Sequence, residues 1–201
     1  MSSPYILAVG GTLRANSSTE KAMLYALRAA ERAGARTNII CGPMLQLPLY
    51  QPDNPERSDG ARSMVAELAQ ADGIIIGSPG YHGSISGLVK NALDYAADLR
   101  TDVRPYFSGR AVGCIATAAG WPGAVNTLSA LREIVHALRG WPTPLGAAIN
   151  SSETVFDEAG GCLIPRVGQI LETMAEEVMS FARAVAPSYY VAAEGSNDQV
   201  E

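Results

Sequence analysis

The chain has 201 residues, 47% of them hydrophobic and 17% charged, which suits one globular domain with one substantial core. Its net charge of −5 disfavours general nucleic-acid binding, because phosphate neutralisation needs clustered Lys and Arg. No apolar run approaches the roughly 20 residues that cross a bilayer, so no membrane span is expected. Met1-Ser2-Ser3-Pro4 carries no basic or signal-like stretch, and the cytoplasm is the expected compartment. The cysteines Cys41, Cys114 and Cys162 are odd in number and form no C-x-x-C pair. Neither a disulfide framework nor a metal site is expected, and Cys41 and Cys114 read as small apolar fillers of strands.

In chain order, apolar runs alternate with helical patterns. Tyr5 to Gly10 is a short continuous apolar run, as a strand buried on both faces should be. Ser17 and Glu20 make a capping box at the first helix start, and Gly34 stands where that helix should stop. Thr37 to Cys41 reads as a second strand, and 43–60 as a loop rich in Pro, Asp and Asn. A helix from Ala61 to Ala71 leads into the strand Gly73 to Gly77. Pro79 to Ser86 reads as loop and Leu88 to Leu99 as helix.

Ala111 to Thr117 is the fourth strand. The helix after it carries an apolar stripe of Ala124, Leu128, Leu131, Val135 and Leu138, and Gly140 ends it. Leu145 to Ile149 gives a fifth strand. The last helix places Val167, Ile170, Leu171, Met174, Val178 and Phe181 on one face. The pattern fades after Pro187, which predicts one domain over 1–186 and a tail over 187–201.

Five successive βα units predict a doubly wound α/β fold: a five-stranded parallel sheet of order 2-1-3-4-5 with helices on both faces. Ligands then bind beyond the carboxyl ends of the strands, so the loops after strands one, three and four are the informative ones. The first, Gly10 to Thr19, supplies hydroxyls, backbone amides, Arg14 and a helix N-terminus, all suited to a phosphate. It contains neither G-x-G-x-x-G nor a P-loop. The second, Ser78 to Gly87, offers glycines for close approach of a flat ligand, with Tyr81 and His82 as ring faces and polar tips. The third, Thr117 to Gly123, is rich in small residues. Two readings of its Trp121 stand: it covers the site, or it packs under the helix.

At these loops the sequence resembles the NADPH-dependent FMN reductase family, which includes azo, quinone and chromate reductases and the flavin reductases that supply monooxygenases. Gly11-Thr12-Leu13-Arg14-Ala15-Asn16-Ser17 stands where that family reads G-S-x-R-x-x-S. Ser78-Pro79-Gly80-Tyr81-His82-Gly83-Ser84, continuing to Leu88-Val89-Lys90-Asn91-Ala92-Leu93-Asp94, stands in place of S/T-P-E-Y-N-x-S-x-x-G-x-L-K-N-x-x-D. Gly80 replaces the usual Glu, and His82 the usual Asn.

The resemblance implies a flavodoxin-like fold with the FMN phosphate on Thr12, Arg14, Ser17 and Thr19. It implies the flavin ring along Pro79, Gly80, Tyr81, His82 and Gly83, with Thr117, Ala118 and Gly120 on its pyrimidine side. It also implies a homodimer or homotetramer. The segment Leu99 to Ser108 is a candidate interface or acceptor pocket, or else a solvated connection.

The function so expected is an FMN-dependent oxidoreductase that takes two electrons from NADPH or NADH and passes them to a small acceptor such as a quinone or azo compound. The flavin carries the chemistry, and His82 is the candidate to protonate a reduced acceptor. One alternative is a flavin reductase that releases reduced FMN to a partner monooxygenase. Another is a flavodoxin-type electron carrier, against which Arg14 and the modest charge argue.

Overall fold

The computed structural model describes residues 3–195, with side chains over 3–185. Its central parallel strands are β1 (Tyr5–Gly10), β2 (Arg36–Ile40), β3 (Gly73–Tyr81) and β5 (Ala111–Ala118), in the order β2-β1-β3-β5. Beyond β5 the sheet ends on two short strands, β6 (Trp141–Pro142) and β7 (Ala147–Asn150), each parallel to a different half of β5. The expected order is therefore present, but the fifth strand is split rather than running from Leu145 to Ile149. Pro142 and Pro144 lack backbone donors, and this is an edge position, where a broken ladder is tolerated.

Apolar residues on both faces of the inner strands explain why the sheet sits between two helical layers. Leu7, Val9, Ile74 and Ile76 face a core closed by α2 (Asp59–Gln70), α3 (Gly87–Asp94) and α4 (Trp121–Ala137). Ile6, Ala8 and Ile75 face the opposite core, closed by α1 (Ser18–Arg32) and α5 (Pro165–Gly195). This is the flavodoxin-like architecture. Among the described residues no helix is long and apolar enough to cross a membrane.

Three expectations change. Pro79 to Ser86 is not a loop: β3 continues to Tyr81 and pairs antiparallel with β4 (Ser84–Ile85), Gly80 opposite Ile85 and Tyr81 opposite Ser84. His82 (φ 50°) and Gly83 (φ 90°) make the two-residue turn, with the two positive φ angles that a type I′ hairpin requires. The helix predicted from Leu88 to Leu99 ends at Asp94 and tightens into a 3-10 turn over Tyr95–Leu99. Finally, the last helix, α5, is longer than its apolar pattern and runs through Pro187 to Gly195. Residues 196–201 of the predicted tail lie outside the described residues.

Candidate active site

The carboxyl ends of β1 and β3 are drawn together by glycine. A Cβ on Gly10 would lie 1.9 Å from the Gly77 carbonyl oxygen, and the Gly11 amide donates to that oxygen at 2.8 Å. Beyond this contact the loops after β1, β3 and β5 diverge around a cleft of about 700 Å³, within the usual range for small-molecule sites. Among the described residues its lining carries one cation, Arg14, and no carboxylate.

The first loop is shaped by local hydrogen bonds. Thr12 Oγ1 accepts the Arg14 amide and donates to the Arg14 carbonyl, both at 3.1 Å. Asn16 adopts φ 56°, and its amide donates to Glu20 Oε2 at 2.8 Å. Ser17 Oγ caps α1 by accepting the Glu20 amide at 3.2 Å. The capping box is thus offset by one residue, with the Glu20 carboxylate taking the amide before Ser17. Ser18 and Thr19 open the helix, where backbone amides have no intrahelical acceptor. The exposed Arg14 guanidinium makes no ion pair with another described residue.

Thr19 is 1% exposed, and its hydroxyl lies 2.6 Å from that of Thr117. This bond joins the start of α1 to the end of β5 and sets the cleft floor. One of the two hydroxyls donates, which leaves the other's proton for a further acceptor.

In the second loop, Pro79, Gly80 and Tyr81 line the cleft, with Tyr81 54% exposed. His82 and Gly83 are exposed in the turn and do not line it. Ser78 Oγ donates to the Pro79 carbonyl at 2.9 Å and accepts the Ser86 amide at 3.0 Å, which ties β3 to the start of α3. A Cβ on Gly80 would fall 2.4 Å from Thr127 Oγ1, so Thr127 fills the space where a side chain at 80 would begin. Apart from Leu88, which lines the cleft, the second half of the long motif is scaffold. Asn91 accepts the Tyr50 amide at 2.9 Å and donates to the Pro48 carbonyl at 3.0 Å, and Lys90 pairs with Asp94.

In the third loop, Thr117 and Ala118 line the cleft and Gly120 does not. Gly120 instead caps α4 at φ 118°, its amide donating to Asn150 Oδ1 at 2.9 Å. Trp121 neither covers the cleft nor packs under the helix; it is 52% exposed and lines a separate cavity. The segment Leu99 to Ser108 lies away from the cleft. Arg104 and Phe107 are buried in it, and Arg104 donates to the Ala69 carbonyl at 2.7 Å.

Sequence reasoning did not single out Leu13, Ser18, Ser86, Leu88, Ala119 or Ser151, all of which line the cleft. Ser151 had a readable signal, since it directly follows β7 at the carboxyl edge of the sheet. The free thiols take no part here: burial pushes Cys114 up to about 12, and burial followed by Glu20 raises Cys41.

Among known proteins, residues 4–154 match the family described as NADPH-dependent FMN reductase. The chain belongs to that family. A curated relative, the FMN-dependent NADPH-azoreductase of Staphylococcus aureus, is 36% identical over 109 residues, which is 54% of this chain and 54% of the relative. The match thus spans about half the length of such relatives. Among solved structures, FerB from Paracoccus denitrificans, a flavoenzyme NAD(P)H:(acceptor) oxidoreductase, superposes with a TM-score of 0.75 at 18% identity. That match covers 90% of this chain and 98% of FerB. RosB, solved with 8-demethyl-8-formylriboflavin-5′-phosphate, gives a TM-score of 0.76 at 15% identity, covering 99% of this chain and 88% of RosB. At these identities the two structures speak for the fold. The family assignment rests on sequence.

Proposed function

We propose that this chain binds FMN in the cleft, is reduced by NADPH or NADH, and passes two electrons to a small acceptor such as a quinone or an azo compound. The observation that carries this reading is the joining, in one cleft, of an anion-suited loop to a shelf of small residues. The phosphate falls to the Ser18 and Thr19 amides, the Ser17 hydroxyl and the Arg14 guanidinium, where the helix dipole and the free cation both favour an anion. The flat ring falls to the Pro79–Tyr81 and Thr117–Ala119 backbones, whose side chains leave room for close approach.

Bound FMN supplies the two-electron chemistry. The residues of this chain orient it and set the charge around it. No carboxylate lines the cleft among the described residues, which keeps it hospitable to the electron-rich reduced ring and to anionic ligands. His82 is exposed in a turn outside the lining, so proton delivery by His82 is not part of the proposed mechanism. Leu13 and Tyr81, both half-exposed beside the cleft, support a homodimer in which a second copy covers the mouth.

The test is a visible spectrum of the purified protein, an FMN titration, and turnover of NADPH and NADH with quinone and azo acceptors. FMN binding with acceptor-dependent nucleotide oxidation is expected. Protein that binds no FMN overturns the reading. FMN that dissociates readily after reduction points instead to supply of a monooxygenase.

A further inference from the structure

A second cavity, of about 300 Å³, lies between β7 and the start of α5. Ile149, Val155, Ile164 and Ile170 give it apolar walls, and the Trp121 indole offers a half-exposed aromatic face. Arg166 also lines it and makes no ion pair with another described residue. The one carboxylate of the lining, Glu153, already accepts the Asn150 amide group at 3.0 Å. The cavity adjoins the cleft: Ala119 and Ser151 line the cleft, while Trp121 and Asn150 line the cavity. The Gly120–Asn150 hydrogen bond links the two loops at that border.

We propose that this cavity receives the adenosine 2′-phosphate end of NADPH, and that Arg166 is the residue selecting NADPH over NADH. The inference rests on the proposed function, in which Arg14 is committed to the FMN phosphate; the nicotinamide end then has to reach the flavin in the adjoining cleft. A volume of about 300 Å³ admits an adenine ring but not a whole dinucleotide. Adenine is flat and stacks on an indole face. The 2′-phosphate, which distinguishes NADPH from NADH, matches the forked donors of an unpaired guanidinium.

Two measurements test this. With the FMN-loaded protein and a simple quinone, Arg166→Ala is expected to raise the KM for NADPH by about ten- to a hundred-fold and to lower the NADPH-to-NADH selectivity to match. Arg166→Lys should recover part of that selectivity. Separately, Trp141→Phe leaves Trp121 as the sole indole, and 2′,5′-ADP should quench its fluorescence at about tenfold lower concentration than 5′-AMP. Arg166→Ala in that background should abolish the difference.

Wild-type protein indifferent to the 2′-phosphate, or equal KM changes for both nucleotides in Arg166→Ala, would overturn the assignment. Quenching by 1-anilinonaphthalene-8-sulfonate but not by 2′,5′-ADP would overturn it as well, reassigning the cavity to an aromatic acceptor. The 2′,5′-ADP titration needs neither FMN nor turnover. A protein that fails to oxidise either nucleotide therefore fails the proposed function while the cavity is still decided on its own.

Discussion

Asn150 holds Gly120: its Oδ1 accepts the Gly120 amide at 2.9 Å and the Ser152 amide at 3.1 Å. One side chain at the end of β7 thereby fixes the loop after β5, the start of α4 and its own following turn. Asn150→Ala removes an acceptor from both amides, of which Gly120's keeps the Ala118 carbonyl, and is expected to destabilise the protein by about 1 kcal/mol, with weaker FMN binding in the same variant. Asn150→Asp keeps the acceptor for both amides but sets a carboxylate against Glu153 in place of the amide donor, so it should recover only part of the stability. Urea unfolding with FMN titration reads the two effects. An alanine variant with unchanged FMN affinity would show that the loop is held without this bond.

Among the described residues, Arg14 is the only cation lining the cleft. Arg14→Ala should lose a charge-assisted contact of about 1.5–3 kcal/mol, or roughly ten- to a hundred-fold in FMN affinity. Riboflavin, which has no phosphate, should bind the variant nearly as well as the wild type. Flavin fluorescence quenching measures both. Equal losses for the two flavins would place Arg14 away from the phosphate.

His82 sits at φ 50° in the hairpin turn. Asn tolerates that conformation better than an imidazole and is favoured before Gly in type I′ turns. His82→Asn is therefore expected to raise stability by roughly 0.5 kcal/mol and to leave FMN affinity unchanged. Thermal unfolding and flavin titration provide the check. A lower Tm, or weaker FMN binding, would mean that the imidazole makes a contact of its own.

Gly80 and Thr127 share one space, with a Cβ at 80 falling 2.4 Å from Thr127 Oγ1. Gly80→Ala should cost about 1–3 kcal/mol by overpacking. Thr127→Ala in the same chain should return part of that loss, a coupling that a double-mutant cycle detects. Additive effects of the two substitutions would show that β3 relaxes around the new methyl.

Much of this protein was legible in its sequence because the signals are local. The continuous apolar runs at Tyr5–Gly10 and Gly73–Gly77 mark strands buried on both faces, and Ser17 marks the helix start wherever the chain goes next. The alternation of such runs with helical patterns implies the parallel sheet and its order. The order, in turn, puts Thr12, Arg14, Ser17, Thr19, Pro79, Gly80, Tyr81, Thr117 and Ala118 around one cleft, where the structure brings them together.

What the sequence could not decide depends on partners distant along the chain. His82-Gly83 is a weaker hairpin signal than Asn-Gly, and only the pairing of Tyr81 with Ser84 turns that segment into strand. Gly120 stays out of the cleft lining, its amide shared between the Ala118 carbonyl and Asn150 Oδ1, 30 residues on. Asn91, inside the most family-like motif, braces the 47–50 segment instead of a ligand, since its side chain meets the backbone there. Local propensity chooses the elements and the loops that can carry chemistry. Which loop residues face the cleft is decided by hydrogen bonds and packing that exist only once β3, β5, β7 and α4 lie side by side.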